Sequence, residues 1–269
     1  MAKVIDLDFI RALTRMTTRA CALGWHEANG GNLSYRLAPE EVEQVRACQL
    51  AAAGPWLPLG ISVPQLGGQY FVITGRGQYL RNVALFPESS LALLELDSQG
   101  QNYCLRWGLK NGGQPSSELP SHLLNQAIKN PARRVIYHAH PANIIALTFV
   151  LPPDSRVVTR ALWAMMPECL MTFPEGLGVL PWMVPGGYDI ARASSALMAH
   201  YNVVVWAQHG VFCAGRNFDE TLGLMETVEK AAEIYLKVGA AGGMQYAPGL
   251  EDLRALARSL NLRADLDDE

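Results

Sequence analysis

His138-Ala139-His140 closes an apolar run, Val135-Ile136-Tyr137. As a strand, that run has a period of two, which puts both imidazoles on one face. Two nitrogens can then converge on one metal ion at about 2.0–2.1 Å. His209 ends a second apolar run that starts at Val203, and Gly210 follows it. Three histidines at strand ends make an open zinc-type site, with one position left for substrate or water. The His-x-His pair alone is equally compatible with two hydrogen-bonded structural histidines. The matching placement of His209 is what favours the metal.

Two carboxylates and two turns are the other candidates. Ser116-Ser117-Glu118 precedes Leu119, with Ser117 as a helix cap and Glu118 in the first turn. A first-turn carboxylate can serve only to complement the helix dipole, so spacing alone leaves Glu118 open as a proton acceptor. Glu168, after Pro167 at the start of a predicted strand, is equally open. Asn29-Gly30-Gly31-Asn32 and Thr74-Gly75-Arg76-Gly77 are Gly-rich turns. Such turns can present backbone N–H groups to an anion such as phosphate, and both are also ordinary tight turns. Neither is a Walker loop or a dinucleotide fingerprint. His26, His122 and His200 have no partner at ligand spacing and are read as structural. The Trp163, Met165, Met166 cluster is read as core or subunit contact.

The elements that must position these residues follow from periodicity and punctuation. Asp6 is a predicted N-cap for a helix with Phe9, Ile10, Leu13, Met16, Thr17, Ala20 and Leu23 on one side, ended by Gly24. A strand is expected at Leu33–Leu37, a helix at Pro39–Leu50, and ordered coil over Ala51–Gly68. Tyr70–Ile73 is β-rich. Leu91–Asp97 and Gln101–Trp107 flank the hairpin signal Ser98-Gln99-Gly100. Helices are expected at Ser117–Ile128, Pro141–Leu151, Asp189–His200 and Phe218–Val238, and strands at Val135–Ala139, Cys169–Phe173, Val203–Trp206 and Val211–Cys213. Mixed helices and strands with hairpins make an α/β chain whose sheet is at least partly antiparallel. No internal boundary is visible, so one domain is expected. Arg263–Glu269 reads as a frayed acidic end.

Composition narrows the function classes. The chain has 269 residues, 22 Lys plus Arg against 25 Asp plus Glu, and a formal charge of -3. That balance argues against nucleic acid as a partner. The charged fraction is 17%, against about 25% for an average domain, which points to surface covered by oligomerisation. Five widely spaced cysteines without a C-x-x-C read as reduced thiols of a cytoplasmic protein. No secretory signal is visible at the start. The uncharged run Ala196–Gly215 carries His200, Asn202, Gln208 and His209, which a membrane span tolerates poorly.

The whole pattern resembles the class II, zinc-dependent sugar-phosphate aldolases of the aldolase/adducin superfamily. The stretches that carry the likeness are Gly24-Trp25 with Glu27 and Asn29-Gly30-Gly31-Asn32-Leu33, Trp107-Gly108-Leu109, Ser117-Glu118-Leu119-Pro120 with His122, and Arg134-Val135-Ile136 with His138 and His140. Glu168-Cys169-Leu170 with Phe173-Pro174, Leu180 to Gly186, and His209-Gly210-Val211-Phe212 with Asp219-Glu220-Thr221 continue it. These longer matches, in order over nearly the whole chain, resemble the rhamnulose-phosphate branch of that superfamily.

The resemblance implies one class II aldolase/adducin-like domain over residues 1–269, a three-layer α/β fold with a central, largely antiparallel sheet flanked by helices, and a homotetramer with sites near subunit interfaces. It implies retro-aldol cleavage of a phosphorylated ketose, L-rhamnulose 1-phosphate, to dihydroxyacetone phosphate and L-lactaldehyde. It implies one Zn2+ per subunit on His138, His140 and His209, Glu118 as catalytic base, and Glu168 near the aldehyde end. Asn29, Asn32, Thr74, Gly75, Ser116 and Ser117 fall where the family binds phosphate and nearby hydroxyls. Arg76 departs from the pattern at a position where a small residue is expected; it either adds a charged phosphate contact or points away. Fuculose-type aldolases, pentulose-phosphate 4-epimerases and thiosugar-phosphate dehydratases share such a site, although the epimerases tend to carry Asp where Glu118 stands. A non-catalytic adducin-like interaction module has no need of three histidines and a glutamate.

Overall fold

The computed structural model describes residues 3–48, 50, 53–110 and 112–266. In chain order the elements are α1 (Asp8–Ala22), β1 (Asn32–Arg36), α2 (Pro39–Arg46), β2 (Trp56–Pro58), β3 (Tyr70–Thr74), α3 (Pro87–Ser90), β4 (Leu91–Leu96) and β5 (Asn102–Gly108). There follow α4 (Leu119–Lys129), β6 (Val135–Ala139), α5 (Ala142–Leu147), α6 (Ser155–Trp163), α7 (Pro167–Thr172) and β7 (Gly178–Leu180). The chain continues with α8 (Tyr188–Met198), β8 (Val203–Trp206), β9 (Gly210–Gly215), α9 (Phe218–Ala240) and α10 (Leu250–Ser259).

The strands join one sheet in the order β2-β5-β4-β3-β1-β6-β9-β8-β7. Each neighbouring pair is antiparallel except β7 with β8. Strand alternation divides the core into two faces. Leu33, Tyr35, Val72, Val135, Tyr137 and Val205 pack with α1, α5, α6 and α9 on one side. On the other, Phe71, Ile73 and Leu94 pack with Leu119 and Leu123 of α4, and Ile136, Val204 and Phe212 pack with Ile190 and Met198 of α8. Because both faces are covered, the inner strands are buried along their whole length. This is the expected three-layer arrangement.

Several local expectations need correction. Asp6 ends a short 3-10 turn, Val4–Asp6, and Leu7 takes the N-cap position of α1 without a side-chain bond. The residues Cys169–Phe173 are helical through Thr172, in α7, rather than a strand. Pro167 at the first turn favours helix, and a short apolar run cannot distinguish the two by periodicity. Ser117 does not cap α4; Glu118 itself occupies the N-cap, and its N–H donates to Ser116 Oγ at 3.2 Å. The predicted second helix stops at Arg46, with Gln49 outside the described residues. The predicted helix to Leu151 ends at Leu147. The stretch read as coil contains β2, with 51 and 52 outside the described residues. At the C-terminus Leu266 is buried in the core rather than frayed, and 267–269 are outside the described residues. The five cysteines are free thiols.

Two local devices aim the chain at the site. After α1, Gly24 at φ +79° turns the backbone; its N–H donates to Cys21 O and the Trp25 N–H to Ala20 O. That is a Schellman end, and Trp25 O then accepts the His140 N–H at 3.0 Å. On one face of the sheet, Glu229 of α9 accepts the Asn143 and Ile144 N–H groups at 3.0 and 2.9 Å. It thereby satisfies the first turn of α5, the helix that follows His140.

Candidate active site

The site forms where β6, β9 and β1 lie side by side. Register places Asn32 opposite His138 and His138 opposite Phe212. The His138 ring stacks on Phe212, centroids 4.3 Å apart and 11° from parallel. His140 stands just past the end of β6. His209 lies in the turn between β8 and β9 rather than on a strand. In that turn Gln208 has φ +57°, and its N–H and Nε2 donate to Thr148 Oγ1 and O at 2.9 and 2.8 Å. A β-carbon on Gly210 would stand 2.9 Å from His138 Cε1 and 2.8 Å from His140 Cδ2, so only glycine fits between the two rings.

The ligand atoms of His138, His140 and His209 all lie within 4.8 Å of one another. His138 Nδ1 lies 3.1 Å from the Val211 carbonyl, and His140 Nδ1 lies 2.5 Å from Glu27 Oε1. Both partners accept, so both Nδ1 atoms carry a hydrogen, and Nε2 is the nitrogen that each neutral ring offers to a metal. The two Nε2 atoms are 3.3 Å apart. Tetrahedral zinc with bonds of about 2.0–2.1 Å sets adjacent nitrogens about 3.3–3.4 Å apart. Burial, then the neighbouring His140 and His209, pushes His138 well below the usual histidine range. Burial followed by His140 lowers His209 to about 4. His138 and His209, both lowered by burial, converge with His140 at a spacing that fits a divalent cation, and the all-imidazole donor set suits zinc.

Glu118 is 9% exposed, with Oε2 3.9 Å from His138 Nε2. Burial raises its pKa, opposed by the Asn32 Nδ2 donor at 2.8 Å and by His140. A partly desolvated carboxylate beside a cation site is equipped to take up and return a proton.

These groups line a cavity of about 290 Å³, whose wall also includes Asn29, Gly30, Gly31, Asn32, Gly75, Arg76, Gly77, Ser116, Ser117, Pro185 and Gly186. Ten of the twelve residues singled out from the sequence therefore meet at one place. Thr74 is buried behind the wall, with its Oγ1 accepting the Leu33 N–H at 3.2 Å. Glu168 is exposed on α7 and is not part of this wall. The turn at Gly75 is less open to an anion than its composition suggests. Its N–H donates to Ser90 O and that of Arg76 to Gln114 O, both at 2.8 Å. The exposed Arg76 side chain belongs to the cavity wall.

Sequence reasoning missed several supporting side chains. Glu27 entered only as part of a pattern, yet it orients His140. His26 bonds to Gly30 O and Tyr137 Oη at 2.9 and 2.7 Å and stays outside the cluster, as a structural histidine should. His122, also read as structural, faces Asn32 Oδ1 directly. Its spacing four residues after Glu118 was the available signal.

The family described as Class II Aldolase and Adducin N-terminal domain matches residues 11–236. The rhamnulose-1-phosphate aldolase of Listeria innocua is 39% identical over 265 residues, covering 97% of this chain and 96% of that one. That of Shigella boydii is 42% identical over 262 residues, covering 96% and 95%. Among solved structures, a sugar-phosphate aldolase from Thermotoga maritima superposes with a TM-score of 0.73 at 29% identity, over 88% of this chain and 97% of that one. An L-fuculose-1-phosphate aldolase from Thermus thermophilus shares the fold, with a TM-score of 0.58 at 21% identity over 88% and 98%. With a family match across most of its length and the three-layer sheet beneath the histidine cluster, this chain belongs to the class II aldolase and adducin family.

Proposed function

We propose that this chain is a lyase that cleaves L-rhamnulose 1-phosphate to dihydroxyacetone phosphate and L-lactaldehyde, using one Zn2+ per subunit held by His138, His140 and His209. The observation that carries the reading is the buried Glu118 carboxylate 3.9 Å from His138 Nε2, beside three converging imidazoles in one cavity. Near-full-length likeness to rhamnulose-1-phosphate aldolases supports the substrate. When bound, the cation supplies Lewis-acid polarisation of a carbonyl oxygen at neutral pH.

Cleavage breaks the bond between C3 and C4. The electron pair stays on C3, beside the carbonyl, C4 leaves as the aldehyde, and the C4 hydroxyl loses its proton while C3 gains one. Glu118 holds the proton exchanged at C3. Asn32 donates to Glu118 and keeps it aimed. The side chains of Asn29, Arg76, Ser116 and Ser117 bind the phosphate end, since the Gly75 and Arg76 amides are already bonded to carbonyls. Thr74 contributes by tying the Gly75 turn to β1. Fixing the remote phosphate orients the reacting carbons.

Glu168 acts at the aldehyde end of a second copy's site in a homotetramer. Its exposure on α7 and its absence from its own cavity wall support that placement. So does the apolar rim: Trp182 is 62% and Val184 70% exposed, immediately before Pro185 and Gly186 of the wall. Free cysteines support a cytoplasmic setting. Among the described residues no helix is long and apolar enough to cross a membrane.

The test combines aldehyde release from L-rhamnulose 1-phosphate with exchange of the C3 proton of dihydroxyacetone phosphate in heavy water. A chelator should abolish both and zinc restore both. Glu118→Gln should slow exchange by about 10²–10⁴-fold while zinc stays bound. Exchange at the wild-type rate in a folded, zinc-loaded Glu118→Gln protein removes Glu118 as base. Epimerised or dehydrated product without aldehyde overturns the aldolase reading.

A further inference from the structure

We propose that His122 is a positioning residue for Glu118, acting through Asn32 along a buried hydrogen-bond chain whose direction is set at its far end by Gln126 and Ser34. The proposal deepens the aldolase reading, because the group it positions is the base assigned there.

The chain of contacts arises from two matching periodicities. Glu118, His122 and Gln126 recur every four residues and share one side of α4 and its cap. Asn32 and Ser34 recur every two and share one face of β1. Where helix and strand meet, the two stripes interlock. Gln126 Nε2 donates to Arg134 O at 2.9 Å and to Ser34 Oγ at 3.3 Å. Ser34 Oγ lies 2.8 Å from His122 Nδ1. His122 Nε2 contacts Asn32 Oδ1, and Asn32 Nδ2 donates to Glu118 Oε2 at 2.8 Å. His122, Gln126 and Ser34 are 0%, 0% and 1% exposed, so water does not compete for these bonds.

The direction of every bond follows from one fixed acceptor. The Arg134 carbonyl can only accept, so the Gln126 amide must turn its NH₂ toward it and toward Ser34. Ser34 Oγ accepts that hydrogen bond, and His122 Nδ1 is its other side-chain partner among the described residues, so the buried hydroxyl hydrogen points to Nδ1. The imidazole must then carry its hydrogen on Nε2, which faces Asn32. Burial lowers His122 to about 3, so the ring stays neutral and this single tautomer persists across the physiological range. With Asn32 Oδ1 occupied by a donor, its NH₂ is left for Glu118. The reversed amide would set two acceptors, Oδ1 and a carboxylate oxygen, against each other. His122 therefore keeps a donor on the carboxylate without touching substrate or lining the cavity.

The test uses zinc-loaded enzyme and two readouts. The first is the Asn32 side-chain amide signal in ¹H–¹⁵N NMR, assigned with Asn32→Ala. In wild type one amide proton should be shifted downfield by the carboxylate. His122→Leu should move or double that signal. His122→Gln, whose amide can accept from Ser34 and donate to Asn32, should largely restore it, and Ser34→Ala should shift it less than His122→Leu. The second readout is C3 proton exchange of dihydroxyacetone phosphate. His122→Leu should slow exchange about 10- to 100-fold, the span of one hydrogen bond to a charged group. KM should change less than kcat, and zinc content should be unchanged. In an Asn32→Ala background, His122→Leu should have no further effect on exchange. An unmoved Asn32 signal in the folded variants, or full additivity with Asn32→Ala, overturns the proposal. If wild type neither exchanges nor cleaves while the amide signal responds as expected, the aldolase reading fails and the positioning chain stands.

Discussion

Two imidazole nitrogens 3.3 Å apart, His138 Nε2 and His140 Nε2, are the strongest single sign of a metal site in this protein. Neither orientation is accidental, because each ring is turned by an acceptor on its other nitrogen: the Val211 carbonyl for His138 and Glu27 for His140. A carboxylate behind a ligating imidazole fixes the ring and raises its basicity, and losing one typically costs about 10–100-fold in metal affinity. Glu27→Gln should therefore weaken zinc binding by about that factor, read by competition with a chromogenic chelator. An unchanged affinity would mean that the backbone bond from His140 N–H to Trp25 O is enough to hold the ring. The three clustered histidines were legible in the sequence by type and by their place at or just past strand ends. Glu27 and His122 were not, because their roles depend on which nitrogen faces which neighbour, and no spacing reports that.

At the scale of elements, the site depends on how closely β9 can approach the end of β6. A β-carbon at Gly210 would stand 2.6 Å from Ala139 O as well as against the His138 and His140 rings. Gly210→Ala should then leave the sheet intact by circular dichroism but bind clearly less than one zinc per chain by atomic absorption. Gly223→Ala on α9, where an added β-carbon meets nothing within 4 Å, should keep its zinc and gain about 0.4–1 kcal/mol of stability. Full zinc content in Gly210→Ala would show that the rings can move aside without loss. The elements themselves were largely readable. The inner strands and the helix of 23 residues, α9, carry strong apolar patterns and, in α9, an Asn217 cap. The misread segment, α7, has six residues and two buried side chains, too few for a period to register.

At the scale of the whole molecule, Glu168 and the apolar rim at Trp182 and Val184 give the proposed assembly a direct test. If Glu168 serves a neighbouring site, Glu118→Gln and Glu168→Gln proteins, each slow by itself, should regain activity when unfolded together and refolded as mixed oligomers. Some sites then hold both native carboxylates. No gain above the separately refolded variants would confine each site to one chain. The sequence by itself determined the class of fold and the kind of chemistry. Alternation, caps and glycine turns are local, and histidine and glutamate carry their chemistry wherever they sit. Only the tertiary structure decided which candidates meet. The pairing of β1 with β6 sets Asn32 opposite His138, although the two stand far apart along the chain. The same packing buries Thr74 behind the wall and leaves Glu168 outside it. Distance across a sheet depends on strand order and register, and those are set by burying both faces of the sheet at once, a property no short stretch of sequence contains.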